Sequence, residues 1–376
     1  TVLCLEVKRI ASSVTSIFIS FTWILKNLHQ QTLSRCCLFG VRSNLYHASI
    51  MSANGHVIFQ SESHQMSIMV TGGSGFIGPR IISKLIGLGE KVLCFDLHEP
   101  PCITQLGQEL VHFYKGDVTR LSDILEAVKT YEINRIVHLA ALLPPTSEDR
   151  PHLGMTVNIH GTNNVFETAR LEGIKRVVYA SSIAAYGDQI MGHSFTEDDP
   201  VKPINNYGMT KASNDFAASI YMRRYDLDLR GIRISTVFGH GRTTGMTGMI
   251  GGLLISLPAI GEPVSLPFSP DESSSMIHAE DAAEIFVRAI LARDLKHPIY
   301  NSGGALASIG EISQIVQEFL PDSRITTGDQ SVPHVYCVDN TRMLRDIGYE
   351  SPPLRLRVLD HINAARHQAG LATLSS

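Results

Sequence analysis

The stretch Thr71-Gly72-Gly73-Ser74-Gly75-Phe76-Ile77-Gly78, directly after a short apolar run, constrains this chain's fold more than any other feature. In a G-x-x-G-x-x-G run between a strand and a helix, the first glycine permits a tight turn. The second lets the backbone approach a pyrophosphate, and the third lets helix and strand pack closely. The helix start then offers free N–H groups and a partial positive charge to phosphates. Glycine-rich turns are common, so the context decides. Here Ser67–Val70 reads as a strand, and Ile77, Ile81, Ile82 and Leu85 recur at helical spacing. Pro79 lies in the first turn, where a missing N–H is tolerated. Lys91–Phe95 reads as the next strand and ends at Asp96, whose carboxylate can accept both ribose hydroxyls and would repel a 2′-phosphate. The expectation is a dinucleotide cradle that takes NAD. Phe76 and Ile77 belong to it, and Asp117 and Val118 follow the third strand, Val111–Tyr114. Asp117 could receive the adenine amine, although turn chemistry explains it nearly as well.

The pattern from Met66 onward alternates short apolar runs with helical stretches, as parallel α/β units do. Helices are expected over Leu121–Val128, Val157–Glu172 and Tyr207–Arg224. Strands are expected over Arg135–Leu139, Arg176–Ala180 and Leu229–Ile234. The fold class is therefore α/β, a Rossmann-type doubly wound parallel sheet with a smaller, discontinuous C-terminal substrate domain. Residues 66–239 form the cofactor domain, 276–305 return to it, and 240–376 mainly bind substrate. Glycine, proline and serine dominate Gly239–Ser275, with one apolar helix-like run near Ile250–Leu257, and the segment reads as loops around a ligand. Met276–Arg293 reads as a helix, Pro298–Asn301 as a strand and Ile309–Phe319 as a helix. A short strand near His334–Val338 and a helix over Leu354–Ala369 close the chain.

Composition narrows the class. Hydrophobic residues make up 44% and charged residues 18% of the 376, enough for a sizeable core. A net charge of −4 implies no general nucleic-acid affinity. The six cysteines show no zinc or redox spacing and suit a reducing compartment such as the cytoplasm. No histidine pair has metal-ligand spacing, so no metal is expected. Residues 1–65 stand apart. Lys8, Arg9, Lys26, Arg35 and Arg42 face only Glu6 and Glu62, and Trp23 sits in an apolar stretch shorter than the roughly 20 residues a bilayer needs. This segment reads as an organelle leader, a signal anchor or a non-native start upstream of Met66 or Met51. No membrane association is expected of residues 66–376.

A second motif bears on chemistry. Tyr207 and Lys211 are four apart and share a helix face. A phenol titrates near 10 and is a poor base at neutral pH. An adjacent ammonium and an oxidised nicotinamide would stabilise the phenolate. Tyr207 could then take a proton from a substrate alcohol while hydride leaves, with Ser182 hydrogen-bonded to the substrate oxygen. A Y-x-x-x-K pair alone is often only a solvated helix face. Its position after a glycine cradle and Ala180-Ser181-Ser182-Ile183-Ala184-Ala185-Tyr186-Gly187 makes the catalytic reading the stronger one.

From Met66 onward the chain resembles the extended short-chain dehydrogenase/reductases, the NAD-dependent epimerase/dehydratase family. Thr71–Gly78 is similar to the family's TGGxGFIG. His138-Leu139-Ala140-Ala141 is similar to its HLAA beside the cofactor, and Val157–Thr162 to its VNxxGT. Arg233–Gly239 resembles its LRxxxVYG strand and Ile277–Asp281 its IHVDD. The resemblance places Ser182, Tyr207 and Lys211 on the catalytic positions and Ala140 at the cofactor. It also implies a homodimer packed through the tyrosine-bearing helix, for which Phe216, Ile220 and Met222 are candidate contacts. Two departures bear on the substrate. Nucleotide-sugar members usually carry an arginine where Ser274 stands, and Pro267–Glu272 replaces a glycine-rich turn with a segment holding two acids. Both argue for a small hydroxy or keto compound, such as a sugar acid or hydroxy acid, with Arg242 as a carboxylate or phosphate clamp. The expectation is an NAD-dependent dehydrogenase acting on a small-molecule substrate. A nucleotide-sugar 4-epimerase with tightly bound NAD and a non-catalytic dinucleotide-binding regulator are the alternatives.

Overall fold

The computed structural model describes residues 68–100, 109–188, 190, 192–332, 335 and 337–375. The leader, anchor and start-site readings of residues 1–65 lie outside these residues, as do Cys4, Cys36, Cys37 and Cys102. From Ile68 the chain alternates strand and helix: β1 (Ile68–Thr71), α1 (Gly78–Gly87), β2 (Val92–Asp96), β3 (Val111–Lys115), α2 (Leu121–Thr130), β4 (Arg135–His138), α3 (Thr162–Glu172), β5 (Arg176–Ser182), α4 (Asn206–Tyr225) and β6 (Leu229–Ile234). After β7 (Thr236–Phe238) come α5 (Leu254–Ala259), β8 (Ser273–His278), α6 (Ala279–Leu291), β9 (Ile299–Asn301), β10 (Ala305–Ser308), α7 (Ile309–Phe319) and α8 (Leu354–Gln368).

Seven strands form one sheet in the order β9-β6-β5-β4-β1-β2-β3, and every pairing is parallel. Its central strands are apolar on both faces, as a sheet covered by helices on each side requires. Ile68, Val70, Val92, Cys94, Val137 and Val178 point to a core shared with Ile81, Ile82 and Leu85 of α1 and Ile285, Phe286 and Ile290 of α6. The alternate residues Met69, Leu93, Phe95, Ile136, Val177 and Tyr179 meet α2, α3 and α4 on the other face. This two-sided burial explains why the strands read as continuous apolar runs. A third core joins α5, α7 and α8 through Leu254, Ile255, Ile312, Val316, Val358 and Ile362.

Most expected elements appear within a residue or two, and the departures have local causes. Met276–Arg293 is not one helix: β8 runs through His278, and α6 begins only at Ala279. β8 pairs with β7 in parallel and β10 antiparallel, long-range partners that periodicity in a single segment does not reveal. The turn before α3 is a π-helix over Thr156–Gly161 rather than the start of a uniform α-helix. Within Gly239–Ser275 the helix-like run expected near Ile250–Leu257 is part of a longer helical stretch from Gly245 to Ala259. Of the expected strand near His334–Val338, Cys337–Val338 pairs with Ser194–Phe195, while His334 and Tyr336 lie outside the described residues. Among the described residues no helix is long and apolar enough to cross a membrane.

Candidate active site

A cavity of about 810 Å³ opens at the carboxyl ends of β1, β2, β4 and β5, where open parallel sheets hold their ligands. Its lining includes Gly72, Gly75, Phe76, Ile77, Gly78, Asp96, Asp117, Val118, Ala140, Ser182, Tyr207, Lys211 and Arg242. Every residue assigned from sequence to the cofactor or the reaction therefore borders one space.

The glycine turn is tight for steric reasons. Gly72 has φ +68°, and a Cβ there would lie 2.7 Å from the Ala140 backbone nitrogen. A Cβ on Gly78 would lie 2.6 Å from the carbonyl oxygens of both Gly72 and Gly73. No side chain caps the start of α1, and Pro79 needs no N–H partner there, so the helix N-terminus faces the cavity available for an anion. Asp96 is anchored by the backbone: its Oδ2 accepts from Ser74 N at 3.0 Å and its Oδ1 from Leu97 N at 2.7 Å. Asp117 Oδ1 accepts from Thr119 N at 2.9 Å, so the turn role expected as its alternative is present alongside its place in the cavity wall. These features fit a dinucleotide: a close-approach turn, an uncapped helix start and a carboxylate at the second strand's end.

The reactive end is built on α4. Asn205 caps this helix through Oδ1, 2.7 Å from Gly208 N, and Glu148 accepts from Asn206 N and Tyr207 N, both at 2.9 Å. Two carboxylate oxygens at a helix N-terminus satisfy two orphan donors and complement the helix dipole. Asn158, fully buried, ties this helix to the cavity wall: it accepts from Leu142 N at 2.7 Å and donates to Leu142 O and Thr210 Oγ1. Lys211 donates to Ala180 O at 2.7 Å, and its nitrogen lies 5.5 Å from the centre of the Tyr207 ring. Burial lowers the lysine to about 8, opposed by the charge of Asp215. Burial also pushes the Tyr207 phenol above its ordinary value, while a hydrogen bond to Ser182 and the field of Arg242 pull it down. The sequence pointed to Lys211, together with an oxidised nicotinamide, as the charges that would stabilise the phenolate. In the folded protein Lys211 is held against a backbone carbonyl near the ring, and the guanidinium of Arg242 adds a second positive charge on the phenol's side. Arg242 donates to Thr247 Oγ1 at 2.7 Å.

Sequence reasoning did not single out Glu148, Asp215 or Asn205, and reached Asn158 only within the Val157–Thr162 motif. Asn205 carries a legible signal, an N-cap residue just before the tyrosine helix. Glu148 lies 59 residues from Tyr207 and has none. Asp215 lies four residues beyond Lys211 and pairs with Arg233 of β6 at 2.9 Å, with both side chains buried. Ser274 is buried in β8, where its hydroxyl meets Thr236 Oγ1 at 2.9 Å. No group of three metal-ligating side chains occurs among the described residues.

Comparison with known proteins agrees with this geometry. Residues 68–303 match the model of the NAD dependent epimerase/dehydratase family. An uncharacterised protein of Methanocaldococcus jannaschii is 31% identical over 252 residues, 64% of this chain and 76% of that protein. The fold is shared with the UDP-glucose 4-epimerase of Thermus thermophilus, solved in complex with NAD (TM-score 0.72, 23% identity, 80% of this chain and 99% of the other). It is shared equally with the L-threonine dehydrogenase of Clostridium difficile (TM-score 0.73, 22% identity, 81% and 99%). With a family match over most of its length and a glycine cradle above a Ser-Tyr-Lys set, this chain belongs to the NAD dependent epimerase/dehydratase family, whose members are enzymes that use NAD.

Proposed function

We propose that the protein is an NAD-dependent dehydrogenase that interconverts a secondary alcohol and a ketone on a small polar substrate such as a hydroxy acid or sugar acid. The observation that carries this reading is the convergence of Ser182, Tyr207 and Lys211 on the cavity that the glycine turn also lines. NAD, when bound, supplies the hydride acceptor. Gly72, Gly75 and Gly78 leave room for its pyrophosphate, and Asp96 would accept its ribose hydroxyls. Tyr207 takes the hydroxyl proton as the carbon–hydrogen bond breaks and the carbonyl forms. Ser182, already bonded to the phenol, holds the substrate oxygen beside it. Lys211 contributes its charge while protonated, and Arg242 lowers the barrier to phenolate formation through its field.

The buried Ser274 in β8 speaks against a nucleotide-sugar epimerase, because the usual diphosphate-binding arginine is replaced by a hydroxyl committed to Thr236. We propose a homodimer packed on α4. Phe216 is 66% exposed and Ile220 lies on the same surface, whereas Met222 packs toward the core. A cytoplasmic setting accords with buried Cys94 being a thiol rather than half of a disulfide. Tyr207→Phe should reduce turnover at least ~10³-fold while NAD affinity by calorimetry stays within about twofold. Wild-type turnover in that variant would remove Tyr207 as the base.

A further inference from the structure

Arg242 differs from the other arginines packed inside the molecule. Arg176 pairs with Asp228 at 2.6 Å, Arg233 with Asp215 at 2.9 Å, and Arg357 with Asp281. Arg242 has no acidic partner within ion-pair distance among the described residues. Its only side-chain hydrogen bond there goes to the Thr247 hydroxyl, and its buried Nε has no acceptor. A desolvated guanidinium without a counter-ion is unfavourable, and one that borders a ligand cavity beside the reactive phenol is a ready anion site.

The walls around it restrict what else the ligand can carry. Ile183 follows Ser182, Ile204 lies three residues before Tyr207, Met246 adjoins Thr247, and Val335 packs with Ile183. All four line the cavity, together with Leu142 and Leu143. The neighbouring polar side chains each make a hydrogen bond within the protein. Thr236 Oγ1 meets Ser274, Thr247 Oγ1 accepts from Arg242, Ser235 Oγ accepts from Ser302, and Asn205 Oδ1 caps α4. Ser182, Tyr207 and the Arg242 guanidinium are the polar groups that border this end of the cavity. A polyhydroxylated body would set most of its hydroxyls against these aliphatic walls, which is unfavourable, whereas a hydrocarbon body would gain by burial.

We propose that the substrate is a hydroxy monocarboxylate with a hydrocarbon body, its carboxylate held by Arg242 and its hydroxyl by Ser182 and Tyr207. This rests on the hydride-transfer reading and selects within it the aliphatic hydroxy acids over sugar acids. The test separates binding from turnover. Butanoate, hexanoate and gluconate are titrated by calorimetry into the full-length protein loaded with NAD, and into its Arg242→Ala, Arg242→Lys and Tyr207→Phe variants. NADH formation is followed in parallel with 3-hydroxybutanoate, 3-hydroxyhexanoate, their 2-hydroxy isomers and gluconate. Affinity should rise about fourfold per methylene from butanoate to hexanoate and should exceed that for gluconate at least tenfold. Arg242→Ala should weaken hexanoate binding about 100-fold with NAD affinity unchanged, and Arg242→Lys should fall between. Gluconate binding as tightly as hexanoate, or hexanoate binding indifferent to Arg242→Ala, would overturn the proposal. So would a loss of NAD affinity in Arg242→Ala in place of hexanoate affinity, because the guanidinium would then serve the coenzyme's pyrophosphate. Tyr207→Phe should bind hexanoate normally and form no NADH. NADH formation by that variant would refute the base assignment and leave the carboxylate ranking to stand or fall on the titrations.

Discussion

At the scale of single residues, two glycines of α1 show how the same residue type serves different ends. Gly78 has no room for a methyl group, since a Cβ would lie 2.6 Å from two backbone oxygens of the cofactor turn. Gly87, at the other end of the helix, has nothing within 4 Å of such a position. Gly78→Ala must displace the turn, so NAD affinity should fall at least tenfold. Gly87→Ala should leave NAD affinity alone and stabilise the fold by about 0.5–1 kcal/mol through helix propensity. Calorimetric NAD titration and thermal unfolding of the two variants check the pair, and a normal NAD affinity in Gly78→Ala would show that the turn can relax. Both glycines are visible in the sequence, but only backbone packing around each tells them apart.

At the scale of elements, α4 carries both the chemistry and its tuning. Tyr207, Lys211 and Asp215 recur every four residues on one helix face, and Arg233 of β6 holds Asp215 in place. Lys211 loses its proton near pH 8, and the negative charge of Asp215 opposes that fall. Activity that needs the ammonium should therefore decline as pH rises through about 8. Asp215→Asn removes the opposing charge, so this alkaline limb in kcat/KM should move to lower pH, and Asp215→Glu should restore it. An unmoved limb in a folded Asp215→Asn variant would make Asp215 purely structural. Unfolding is a real risk, because stranding a buried arginine costs about 3–5 kcal/mol, so the glutamate variant serves as the folding control. The Tyr-Lys spacing was legible because it is local. The Asp215–Arg233 pair and the Glu148 cap were not, because each depends on a partner from another element.

At the scale of the whole molecule, the packing of the two larger sheets buries His138 and His278 where charging is disfavoured. His138, between Thr71 Oγ1 at 2.7 Å and Thr162 Oγ1 at 2.9 Å, is brought down to about 3 by burial and the charge of Lys211. His278, which caps α6, falls to about 4, chiefly through burial. Both are neutral in the folded state and titrate near 6.5 when unfolded. Below about pH 6.5 the unfolded chain binds more protons, so this share of stability is present above that pH and is lost as pH falls toward about 4. Each should cost about 1.4 kcal/mol per pH unit in that window. Denaturant unfolding at about pH 7 and about pH 5 should differ by several kcal/mol, and His138→Gln should flatten the dependence. Equal stability at the two pH values would mean that these side chains reach water on protonation.

Sequence alone determined the strand-helix alternation, the glycine turn and the spacing of Tyr207 and Lys211, because each is set by periodicity or sterics within a few residues. It also reached Ser182 and Arg242 as candidates, but not the groups that surround them. Tertiary structure decided those surroundings: the fold aims Lys211 at Ala180, brings Arg242 within electrostatic reach of Tyr207, and gives Arg176, Arg233 and Arg357 the acids that Arg242 lacks among the described residues. Charge coupling depends on distance and desolvation, and neither exists until chain segments far apart in sequence have packed together.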